Sequence, residues 1–145
     1  MSKTNSISLI EELLKTIDRV GMKSTIESLK ETQNILDGNQ ILQKFIVIET
    51  CKEFKIAQNT LLQGRKNTAN RTNAIGVCSI LLKRHCKITQ SEIGIILRKD
   101  VSNVNKYIKK FNHLDSKFKS DVDILISIEK IEDIVNNFNN KLNNG

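Results

Sequence analysis

Val101, Ser102, Asn103 and Lys106 open a short basic segment, and their types and spacing suit a surface that reads the edges of DNA bases. An Asn side chain can pair with adenine through two hydrogen bonds, a Ser hydroxyl donates or accepts, and Val methyls can touch the methyl of thymine. Arg98, Lys99, Lys109 and Lys110 flank these positions with the positive charge that phosphate oxygens attract. Other chemistry finds little support. Cys51, Cys78 and Cys86 are odd in number and form no C-x-x-C pair, so neither a disulfide framework nor a zinc cluster is indicated. His85 stands beside Cys86, but a fourth metal ligand is missing, and the cysteines read as small core residues of a reducing compartment. His85 and His113 lack a nucleophile at readable spacing, and no Gly begins a G-x-x-x-x-G-K-[ST] phosphate loop. An enzyme, a cofactor, a metal and a bound nucleotide are therefore not expected.

The charge of the chain is concentrated around these residues. Residues 1–60 carry eight basic and eight acidic side chains, residues 61–120 thirteen and three, and residues 121–145 two and five. The whole excess of +7 thus comes from the central block, whose natural partner is a polyanion. A chain of 145 residues with no Pro, no Trp and 4% aromatics is sized for about one domain and composed for helices, which predicts an all-α protein. The N-terminus has no signal pattern and no apolar run is long enough to span a bilayer, so a cytoplasmic, nucleoid-associated protein with no membrane is expected.

Elements that would position the basic segment can be read from apolar spacing. Leu9, Ile10, Leu13, Leu14, Ile17 and Val20 predict a first helix, about 6–20, that ends at Gly21. Ser24 and Glu27 form a capping box for a second, which Asp37-Gly38-Asn39 breaks, making residues 1–39 a helical hairpin. Ile41, Leu42, Phe45, Ile46, Ile48 and Cys51 predict a third helix from Gln40 to Phe54. Residues 55–60 read as a connection, and residues 63–73, with Arg65, Lys66 and Arg71, as a basic loop or the exposed start of a helix. From Ala74 to Arg84 the chain is apolar on nearly every side, which suits a central helix.

Thr89-Gln90-Ser91-Glu92 is a second capping box, opening a short helix with Ile93, Ile95, Ile96 and Leu97 turned inward until Arg98-Lys99 ends it. Asp100 or Ser102 caps the next helix, which buries Val104, Ile108 and Phe111 and presents Asn105, Lys106, Lys109 and Lys110. Short helix, tight turn, basic helix is the pattern of a helix-turn-helix. After residues 112–120 a last helix carries Val122, Leu125, Ile128, Ile131, Val135 and Phe138, with an Asn-rich end that should fray. Three segments are expected: the hairpin 1–39, a DNA-binding domain 40–116, and a C-terminal helix 117–145 packed on it.

Residues 46–114 resemble the C-terminal DNA-binding domain of the bacterial replication initiator DnaA. Phe54-Lys55-Ile56 and Leu61, the basic Arg65-Lys66, Ile80-Leu81-Leu82, Glu92-Ile93-Gly94 and Asp100-Val101-Ser102-Asn103-Val104 fall in that family's order and spacing. The resemblance implies that Arg65 enters the minor groove with Lys66 beside it, and that Asp100 and Ser102 take part in reading the major groove. Where the family has His and a second Thr, this chain has Val101 and Asn103, so the initiator's own target does not carry over. Asp100 has an equally good structural role as a helix N-cap. The family's ATPase module is not represented.

Double-stranded DNA is the expected partner, bound sequence-specifically to regulate replication or transcription, with a homodimer or a partner protein engaged through the N-terminal helices. The competing expectation is an all-helical adaptor or virion protein that kept the fold without specific DNA binding. Binding of DNA or RNA without sequence preference is a third.

Overall fold

The computed structural model describes residues 38–64 and 68–144, and the expected hairpin over residues 1–37 lies outside them. The described residues are all-α, as composition predicts, with six α-helices: α1 (Gly38–Phe54), α2 (Gln58–Gln63), α3 (Ala69–Leu81), α4 (Gln90–Leu97), α5 (Val101–Asn112) and α6 (Lys119–Asn144). They divide into two compact units, one of residues 46–133 and the other of residues 38–45 and 134–144. The expected boundaries at 39/40 and 116/117 fall near the ends of α1 and α6, whereas the units part within both helices.

In the larger unit α3 is the centre. Every residue from Ala74 to Leu82 is buried, which is why this stretch is apolar on all sides in sequence. The helix begins earlier than its apolar run, because the Thr68 side chain accepts a hydrogen bond from the backbone N–H of Arg71 and caps it. Beyond Leu81 the coil widens into one π-helical turn, Leu82–Cys86, which the left-handed Lys87 (φ 53°) terminates. The turn sets Arg84 and His85 against Glu132 of α6, with Arg84 Nη1 3.2 Å and His85 Nε2 2.9 Å from its carboxylate. Arg84 also donates to Asn112 Oδ1 at the end of α5 (3.2 Å), so one side chain ties three helices.

Two elements depart from the sequence reading. The expected connection at 55–60 is partly helical: α2 forms there because Leu61 is fully buried and draws its turn onto the core. In α6 the buried series is Ile124, Ile128, Ile131, Val135 and Phe138, and Leu125 is exposed at 36%. Steps of four, three, four and three residues make a straighter seam through Ile124 than through Leu125. The Asn-rich end remains helical to Asn144. In the smaller unit Phe45 stacks on Phe138 with ring centroids 3.9 Å apart.

Candidate nucleic-acid interface

α4 and α5 are joined by three residues and pack on each other and on α3. The capping box read in the sequence is formed: the Thr89 hydroxyl accepts from the Glu92 backbone N–H (3.2 Å), and the Thr89 N–H donates to the Glu92 carboxylate (3.4 Å). The helix closes on a left-handed Arg98 (φ 56°), whose N–H and that of Lys99 both reach the Gly94 carbonyl. A left-handed non-Gly residue costs about 1 kcal/mol, and two hydrogen bonds to one carbonyl help hold it. Gly94 is required for a different reason: a Cβ there would stand 2.6 Å from the Lys99 carbonyl oxygen.

α5 sits on this turn with Val104, Ile108 and Phe111 buried. Gly76 of α3 lets the Phe111 ring approach so closely that no Cβ could fit between them. The burial of one face fixes the other. Val101, Ser102, Asn103, Lys106, Lys109 and Lys110 are all exposed, with Asn105 and Tyr107 at the margins. Arg98 and Asp100 are exposed beside them. Lys99 is half-buried, and desolvation, followed by the nearby Arg71 charge, lowers its pKa against the opposing pull of Asp100. Asp100 occupies the N-cap position in extended conformation (φ −66°, ψ 149°), yet its side chain makes no capping hydrogen bond. The capping role is therefore unfilled, and its carboxylate stays exposed at the mouth of the helix.

Arg71 is placed otherwise than its charge suggests. It is 3% exposed, and its Nε and Nη2 donate to the carbonyl oxygens of Thr60 (3.0 Å) and Leu61 (3.1 Å) at the end of α2. A guanidinium used to hold backbone carbonyls is not available to a phosphate, so Arg71 leaves the expected contact set. Arg65 and Lys66 lie outside the described residues.

Ile95, expected inward, is 79% exposed on the outer face of α4. An eight-residue helix has one packed side, and Ile93, Gly94 and Leu97 occupy it. Lys83, in the π turn, and Lys87, just after it, are exposed cations that the sequence does not single out; Lys83 interrupts the apolar stretch from Ala74 to Arg84, which was the available signal. The three cysteines are buried and free, and no group of three potential metal ligands converges among the described residues. Nor, among those residues, is any helix long and apolar enough to cross a membrane. No family model, curated protein or solved structure matches the chain.

Proposed function

We propose that the chain is a sequence-specific double-stranded DNA-binding protein that acts as a helix-turn-helix, with α5 entering the major groove. The observation that carries this reading is the composition of the exposed side of α5 and its place in the chain. The exposed side of α5 is made of Val101, Ser102, Asn103, Lys106, Lys109 and Lys110, and it falls inside the segment 61–120 that holds thirteen basic residues against three acidic ones. Short side chains at the first turn suit base edges, and lysines one and two turns later suit the flanking phosphates. An exposed Asp100 that caps nothing is free to meet a base amino group. The resemblance to the initiator's DNA-binding domain adds a minor-groove role for Arg65 and Lys66, and suggests a regulator of replication or transcription at the nucleoid.

The test is fluorescence anisotropy on duplexes selected from a random pool. The reading expects an enriched motif, binding that weakens steeply with salt, and loss on Lys106→Ala or Arg65→Ala. Absence of binding at low salt contradicts it. A protein adaptor is the second reading, favoured by Ile95, since a large aliphatic side chain 79% exposed is more at home in a protein interface than against phosphates. Equal affinity for scrambled duplexes or RNA would instead indicate binding without sequence preference.

A further inference from the structure

We infer that His113 extends the phosphate-binding side of α5, and does so only when its ring is protonated, so that duplex DNA is bound more tightly as pH falls. The inference rests on the DNA-binding reading. Ser102, Lys106, Lys109 and His113 stand four, three and four residues apart, steps that set them in one row along the helix. All four are exposed. His113 is the C-cap, its backbone N–H held by the Lys110 carbonyl at 3.2 Å. Its Nδ1 lies 2.7 Å from the carbonyl oxygen of Lys109, the preceding member of the row. The ring therefore rests against the last turn of α5, roughly 10 Å beyond Lys106 at the helical rise, and continues the row of cations by one position.

The bond to Lys109 decides where the ring protons sit. A carbonyl only accepts, so Nδ1 carries a hydrogen and donates in either charge state. Protonation changes Nε2, which is an acceptor in the neutral ring and so offers a phosphate oxygen nothing. In the imidazolium it is a charged donor, which a phosphate oxygen does bond. The carboxylates at this end of α5 are engaged elsewhere. Asp115 accepts from the Lys117 N–H and Asp121 from the Asp115 N–H, each at 2.9 Å, and Glu132 of α6 holds Arg84 and His85. Lys109, Lys110 and Lys117 are exposed cations, and among the described residues no carboxylate pairs with the His113 ring. Its anionic partner is left to the ligand. The chain's other histidine, His85, has a side chain only 13% exposed and is already bonded to Glu132.

Fluorescence anisotropy of the full chain on a duplex selected from a random pool at pH 6, read against salt at pH 6 and at pH 8, tests this. Carboxylates of ordinary pKa are ionised across that window. The parent affinity at pH 6 is expected to exceed that at pH 8 several-fold, with a salt slope steeper by up to about one. His113→Ala should bind at both pH values as the parent does at pH 8, and His113→Arg at both as the parent does at pH 6. A parent affinity equal at the two pH values overturns the inference and leaves the DNA-binding reading standing; no duplex binding at either pH overturns both. A pH dependence that survives in His113→Ala also overturns the inference, as does an equal loss at both pH values, which marks a structural role. Should His113→Ala fail to fold, His113→Arg decides by whether the pH dependence disappears.

Discussion

The N–H of Lys99 donates to the carbonyl of Gly94 at 2.9 Å, and the Lys99 carbonyl returns to within 2.6 Å of where a Cβ on Gly94 would be. The turn that aims α5 is thus closed on bare backbone. Gly94→Ala must displace a main-chain carbonyl rather than a flexible side chain, so it is expected to cost about 1–3 kcal/mol in urea unfolding. A stability equal to that of the parent chain would show that the turn relaxes freely.

A second glycine acts through a ring. Gly76→Ala drives a methyl into Phe111, which is 2% exposed and has nowhere to move, so a loss of about 1–3 kcal/mol is expected. Phe111→Leu in the same chain should recover part of it. The checking measurement is a double-mutant cycle, in which the coupling energy should be clearly favourable between the two changes; strict additivity would contradict the contact.

Arg71 separates stability from binding. Arg71→Met removes the guanidinium from the carbonyls of Thr60, which keeps the Gly64 N–H, and of Leu61, at a cost of about 1–3 kcal/mol in all. It also removes a positive neighbour from Lys99, whose pKa should rise toward the ordinary lysine value. Because Arg71 faces no solvent, the salt dependence of DNA binding by the folded variant should be unchanged. A slope reduced as much as by Lys106→Ala would return Arg71 to the phosphate contacts.

The buried thiols predict the alkaline limb of stability. Desolvation raises Cys51 to about 11 and Cys86 to about 12, with Cys78 higher still. A raised folded-state pKa means that the native state holds its protons longer, so this stability is complete below the ordinary thiol range and is lost as pH rises from about 8.5 through 11. Urea midpoints should fall over that window, less so in Cys51→Ala, and Ellman's reagent should react at neutral pH only after unfolding. Prompt native-state labelling of all three would contradict the burial.

What could be read from the chain alone depended on how local the cause was. The Thr89–Glu92 box and the Val104, Ile108, Phe111 face were legible because a cap and a helical period are written in adjacent residues. The all-buried run from Ala74 to Leu82 was legible for the same reason. Arg71 was not, since its partners are ten and eleven residues earlier and a charge in sequence reads as exposed. Ile95 was misread because four large aliphatic residues crowd positions 93–97 and only packing decides which one is left outside. The π turn and the unfilled cap at Asp100 have no sequence signature of their own. For the proposed interface, the exposed side of α5 follows from its apolar side, whereas the contribution of Arg65 and Lys66 rests on resemblance.

The central claim is the use of the outer face of α5 on duplex DNA, and the most direct test is affinity for a selected duplex as a function of salt, for the parent chain and two variants. Lys106→Ala should weaken binding to every duplex alike and reduce the magnitude of the salt slope by about one. Asn103→Ala should leave the slope unchanged and lower discrimination between the selected site and a single-base variant by about 1–3 kcal/mol. Duplex binding that is absent at low salt, or indifferent to both substitutions, would contradict the account.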